Sequence, residues 1–132
     1  MYAGYVFPCN STSLKECVRH KLLSCSNNTA IAQEVGEDSV IFLLDADSDT
    51  LVGPFSAVGP GRTHLEPGTW TETIDNHSIS GNIKVEWEEL HEMKTAKTKF
   101  PFLENGKICQ LSHFQTQDLL NALKQAAVFH EK

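Results

Sequence analysis

Long apolar runs are missing from this chain. The longest, VIFLL at residues 40–44, is far short of the roughly 20 residues that a helix needs to cross a bilayer. The N-terminal stretch also lacks the basic segment followed by an apolar core that marks a secretory signal. The expectation is an intracellular protein, cytoplasmic or nuclear, with no membrane partner. Cysteines are few: four, at positions 9, 17, 25 and 109, with no C-x-x-C pair. That spacing resembles no closed zinc motif and, without a secretory signal, implies reduced thiols, not a disulfide frame. The three sequons, at Asn10, Asn27 and Asn76, then read as chance.

Catalytic signatures are absent as well. There is no G-x-S-x-G, H-E-x-x-H, Walker A or G-x-G-x-x-G sequence, which removes the common hydrolase and nucleotide-binding patterns. The six histidines are scattered singly, and Glu88-Glu89 reads as a solvated strand end. The sequence therefore points to a binding module and not to an enzyme, with no catalytic residue, no cofactor and no metal.

What is present is an ordinary globular composition, 132 residues with 40% hydrophobic and 21% charged, read as a single domain over 1–132. Residues 2–8 (YAGYVFP) and 39–45 (SVIFLLD) are apolar runs that read as buried strands. Ser13 with Glu16 has the form of a capping box, so a helix is expected from there to about Leu23, with Leu14, Cys17, Val18 and Leu22 inward. Residues 24–28 read as a loop. Residues 50–58 (TLVGPFSAV) return from a turn at 45–49, and Gly53-Pro54 interrupts them as a bulge or edge would. Residues 81–89 alternate, with Ile83, Val85 and Trp87 on one face. Short strands at 100–103 and 107–111, and a C-terminal helix carrying Phe114, Leu119, Leu120 and Leu123 and capped by Ser112 or Thr116, complete the layout. The fold class is α+β, a curved sheet or small barrel of about five to six strands flanked by helices.

Charge is unevenly spread. The net value is −6, with eleven Lys and Arg against seventeen Asp and Glu, which makes the chain a poor non-specific binder of nucleic acid. Residues 34–75 hold nine acids against Arg62, whereas residues 1–24 hold Lys15, Arg19 and Lys21 against Glu16. At the first strand-to-helix junction, exposed amides and the positive helix end suit a polar or anionic ligand group. The same residues, Asn10 to Ser13, are equally the ordinary residues of a capped helix start.

The run GYVFPCNSTSLKECVRHKLL resembles the opening of the DCD (development and cell death) domain through Gly4, Phe7, Asn10, Thr12, Lys15-Glu16-Cys17 and Arg19-His20-Lys21-Leu22. VIFLLD and the strand with Leu51, Gly53, Phe55 and Ala57 resemble the elements that follow in that family. The same order, with GNIKVEW and the later LEN, is similar to the YTH domain, a reader of N6-methyladenosine. Both belong to the PUA-like group of small barrels. The resemblance implies a modified base in RNA or DNA, held beside the junction by Phe7, Cys9, Asn10, Ser13, Leu23, Ser24 and Trp70. It implies phosphate contacts from Arg19, Lys21, Arg62, Lys94, Lys97 and Lys99. The first cage tryptophan of a YTH reader falls on Leu23 and the second near Ile79, leaving Trp70 and Phe7 as the aromatics able to replace them. Stacking is worth about 1–3 kcal/mol per base, so that loss weakens a YTH-type cage. The alternative is a DCD-type protein-interaction or stress-signalling module with protein partners and no nucleic acid, which the acidity favours.

Overall fold

Two strands that are apolar at nearly every position form the centre of the molecule. In the computed structural model, which describes residues 4–25, 35–36, 38–58, 81–104 and 108–130, β1 (Gly4–Cys9) and β3 (Val40–Asp45) lie parallel, Gly4 against Val40 through Cys9 against Asp45. A strand that is apolar at successive positions must be covered on both faces. Tyr5, Phe7, Ile41 and Leu43 turn to one face, where α1 (Ser11–His20) packs Leu14, Cys17 and Val18. Val6, Phe42 and Leu44 turn to the other, against Leu119 and Leu123 of the C-terminal helix (His113–Lys124).

The described strands form one mixed sheet of eight in which β1 and β3 are the parallel pair. Its main path is β2 (Leu22–Cys25), β5 (Gly81–Glu86), β4 (Thr50–Ala57), β3, β1 and β7 (Cys109–Leu111). Off this path, β6 (His91–Lys94) pairs with β4, and β8 (Ala127–Val128) pairs with β6. A single-turn α2 (Ala96–Lys99) follows β6, so the C-terminal helix is α3. This open α+β sheet agrees with the expected class, with more strands than the sequence indicated.

The Gly53-Pro54 interruption is a bulge. Ile41 faces Phe55 and Leu43 faces Val52, so Gly53 and Pro54 together stand opposite Phe42. One extra residue reverses the side-chain alternation. Before it, Leu51 packs on the α3 face and Val52 on the α1 face; after it, Phe55 and Ala57 return to the α1 face. β4 also changes its outer partner here, from β6 over Thr50–Gly53 to β5 over Ser56 and Ala57. Pro54, which has no N–H to give, sits between the two ladders.

Several expected elements shift. The first helix starts at Ser11, because Asn10 is its cap: the Asn10 side chain accepts from Ser13 N at 2.8 Å and Ser13 Oγ accepts from Asn10 N at 2.9 Å. It ends at His20, since Lys21 is left-handed (φ 55°) and donates its N–H to Cys17 O. Leu22, which continued the helical stripe in sequence, and Leu23, where the helix was expected to end, therefore belong to β2, together with the backbone of residues expected to be loop. Residues 100–103 form no strand: Phe100 N bonds Ala96 O at 2.8 Å and Leu103 N bonds Phe100 O at 3.0 Å, closing α2 and a turn. Phe114, expected on the buried stripe of α3, is 79% exposed, while Ser112 caps that helix as anticipated.

Gly4 is required by packing. A side chain there would collide with Thr116, which is fully buried on α3 and donates its hydroxyl to Ser112 O at 2.9 Å. Gly4→Ala is expected to cost about 1–3 kcal/mol through overpacking. Thr116→Ala should recover part of that loss. Urea unfolding of the two single variants and the double variant checks this, and additive losses would refute the contact.

Candidate functional site

The junction after β1 is built from hydrogen bonds within the chain. Asn10 and Ser13 satisfy each other's backbone amides, which closes the start of α1 locally. The turn between β3 and β4 docks on the same helix end: Asp47 Oδ2 accepts from Ser11 N at 3.1 Å, and Asp45 Oδ2 accepts from Ser11 Oγ at 2.7 Å. Asp45 is 3% exposed, a burial that a carboxylate tolerates only with donors around it. Ser48 Oγ at 3.1 Å and Asp47 N at 2.9 Å supply them. The positive end of the helix thus already faces two carboxylates of its own chain. Of the polar or anionic ligand group expected at this helix end, an anionic one would meet these two carboxylates, whereas Asn10 and Ser13 present neutral hydrogen-bonding groups.

The described members of the expected pocket divide by depth. Phe7 (1% exposed) and Leu23 (4%) lie in the core cluster that also holds Leu14, Cys17 and Val18, Cys9 packs half-buried against it, Ser13 is half-buried and Asn10 is exposed. Ser24 is placed by its backbone in β2, opposite Asn82. Trp70 and Arg62 lie outside the described residues. Among the expected phosphate contacts, Arg19 pairs with Glu16 at 3.5 Å and stays largely exposed. Lys94 ends β6, and Lys97 and Lys99 lie on α2. Asp49 holds that helix, accepting from Ala96 N through its carbonyl (3.0 Å) and from Lys97 N through Oδ1 (3.1 Å). One acidic turn therefore fixes α1 on one face and α2 on the other, bringing the lysine run to the same end of the sheet as Asn10 and Ser13.

Lys21 lies elsewhere than expected. Its carbonyl accepts from Val85 N at 3.0 Å, and its Nζ sits 5.5 Å from the centre of the Trp87 ring. Phe55 meets the same indole edge-on at 5.4 Å. Beside Trp87 opens a cavity of about 410 Å³ lined by Ser56, Ala57, Val58, Glu86, Trp87 and Glu88. Sequence reasoning took Trp87 for the face of a half-buried strand, and the strict alternation of residues 81–89 held no signal that the strand stops at Glu86. Among the described residues no cluster of His, Cys, Asp and Glu could hold a metal ion, and no helix is long and apolar enough to cross a membrane.

With this geometry in place, comparison with known proteins gives two findings. The family model described as the development and cell death domain matches residues 3–123. Solved YTH domains share the fold. The Pho92 YTH domain in complex with m6A has a TM-score of 0.70 at 13% identity, over 97% of this chain and 89% of that one. The YTH domain of Zygosaccharomyces rouxii MRB1 in complex with N6-methyladenosine RNA has 0.68 at 14%, over 97% and 90%. The complex of the YTH domain-containing protein mmi1 with RNA has 0.69 at 8%, over 92% and 81%. No curated protein matches the sequence.

Cys9 makes the electrostatics of the junction measurable. Burial of its thiol, reinforced by the Asp45 carboxylate and by Cys17 and Asp47, pushes its pKa far above the ordinary 9.0. The folded thiol keeps its proton where the unfolded one ionises, so the stabilisation is complete below about pH 9 and is lost as pH rises beyond it. The unfolding free energy should fall by up to about 1.4 kcal/mol per pH unit above that point. Urea unfolding of the wild type and of Cys9→Ala from about pH 8 to pH 10.5 tests this, with the variant expected to lose less stability.

Proposed function

This chain belongs to the development and cell death domain family, and from that premise we propose that it is a binding module for RNA, engaged at the junction of β1, α1 and β2. The observation that carries the reading is the correspondence of backbone with YTH domains solved with RNA, over more than nine-tenths of the chain. Asn10, Ser13 and the β2 backbone at Leu23 and Ser24 are the groups we assign to the edge of a base. Neutral hydrogen-bond donors and acceptors at a helix start suit a base edge better than a phosphate, because Asp45 and Asp47 already fill the cationic end. The finer proposal is a preference for a modified base of the N6-methyladenosine type, as in the Pho92 and MRB1 complexes, with Trp70 as its stacking aromatic.

A second reading, a protein-interaction module without nucleic acid, draws on two observations. The net charge is −6, and the first position expected to carry a cage aromatic holds Leu23, packed into the core.

A titration with one labelled single-stranded RNA, with and without a single N6-methyladenosine, separates the two. The RNA reading expects saturable binding at low salt, and the finer reading expects the methylated strand to bind more tightly. Trp70→Ala should weaken the methylated complex by about 1–3 kcal/mol, roughly 5- to 150-fold. Absence of binding to either strand at low salt overturns the RNA reading. Equal affinities with no effect of Trp70→Ala overturn the modified-base reading alone.

A further inference from the structure

The cavity beside Trp87 belongs to different elements from the junction. It opens where β4 and β5 pair, Ser56 standing opposite Glu86, with Trp87 and Glu88 just beyond the strand end. Among the described residues its lining contains two carboxylates, one indole, one exposed valine (Val58, 47%) and no cation, Lys21 approaching only over the Trp87 ring. Among the described residues neither Glu86 nor Glu88 forms an ion pair, although Glu89 next to them is hydrogen-bonded to His91. Lys84 is the nearest cation along β5, and it does not line the cavity. The indole is held by the edge-on contact with Phe55, and Lys21 rests an ammonium over its ring, so this aromatic already serves as a partner for a cation.

We propose that this cavity is a second binding site, which takes an arginine side chain from a basic segment of a protein partner. A volume of about 410 Å³ falls in the range of small-ligand pockets and accommodates one guanidinium with its methylene stem. The stem lies on Val58 and Ala57, the planar head stacks on Trp87, and its N–H groups reach the carboxylates of Glu86 and Glu88. Arginine meets this combination better than lysine does, because its fork matches carboxylates and its plane matches an aromatic face. The same two carboxylates repel phosphate, which sets the cavity apart from any nucleic-acid contact. The site does not rest on the RNA reading, and it gives the protein-interaction reading a partner of defined chemistry.

The chain has two tryptophans, so Trp70→Phe leaves Trp87 as the sole indole reporter. In that background a short arginine-containing peptide is expected to change the fluorescence of Trp87 saturably. The same peptide with citrulline for arginine should bind about tenfold or more weakly, since it keeps the shape and loses the charge. Glu86→Gln with Glu88→Gln should produce a similar loss while leaving the urea midpoint unchanged, both side chains being exposed. Calorimetry on the otherwise unmodified protein should rank the peptides in the same order. Equal binding of the citrulline peptide, or unchanged arginine-peptide binding in the double variant, overturns the proposal. Loss of RNA binding in Glu86→Gln with Glu88→Gln made in the protein that keeps Trp70 overturns it as a separate site.

Discussion

The buried carboxylate of Asp45 is the interaction on which the arrangement of this domain depends. It stands at the end of β3, inside the sheet, and is acceptable there because Ser11, Ser48 and the amide of Asp47 all donate to it. Those donors come from the start of α1 and from the turn that leads into β4. Satisfying one carboxylate thus brings three elements to one place. The turn continues the pattern: Asp47 reaches the amide of Ser11, and Asp49, left-handed at φ 52°, accepts from the first amides of α2. The two helix starts, on opposite faces of the sheet, take their anionic partners from a single four-residue connection. Much of the negative charge in that region is therefore internal counter-charge and not a repulsive surface.

A second constraint follows from the sheet itself. β3 is fully used, by β1 on one side and β4 on the other; β7 takes the outer edge of β1, and the remaining described strands join through β4. The bulge at Gly53 and Pro54 makes this feasible by splitting the outer edge of β4 between β6 and β5. Gly53 is the residue that allows the close approach, since a side chain there would press on the Phe42 ring at 3.0 Å and on the Ile41 carbonyl oxygen at 3.2 Å. The cavity at Trp87 lies by that split, where β5 ends at Glu86 and, among the described residues, no strand pairing continues beyond it. One irregularity in β4 therefore determines both how many strands the sheet carries and where an aromatic ring stays open to a partner.

What could be read from the sequence follows from which signals are local. β1, β3 and β4 were legible because apolar runs and a Gly-Pro interruption are properties of contiguous residues, and the cap of α3 was legible only as Ser112 or Thr116, of which the structure uses Ser112 with Gln115. The end of α1 was not. Leu22 satisfies a helical stripe as well as a strand, and the left-handed turn falls on Lys21, a residue with no bias toward that conformation. β6 (HEMK) is short and mostly polar and β8 (AV) is only two residues long, and they form because a vacant edge exists beside them, a fact absent from their own residues. The site divided in the same way. Asn10 and Ser13 were visible as helix-start residues, but Asp47, 36 positions further on at Ser11, was not, and neither was Lys21 over Trp87.

Under the RNA reading proposed above, these assignments limit which contacts the domain would make. Affinity for single strands that is built on phosphates grows with the number of cations presented, by a salt slope of about −0.7 per contact. Here Arg19 is shared with Glu16, Lys21 is committed to Trp87, and the helix dipole is answered by Asp45 and Asp47. Lys94, Lys97 and Lys99 remain as a compact group at the acidic-turn end of the sheet. A strand held at the junction would draw little from its backbone and most of its binding energy from the base it inserts. Such a module tolerates an acidic chain, because selectivity in the base pocket does not need a cationic track. The same distribution leaves Glu86 and Glu88 unopposed at the far end of β5, so a polyanion and a basic peptide would be sorted to different surfaces of one small sheet.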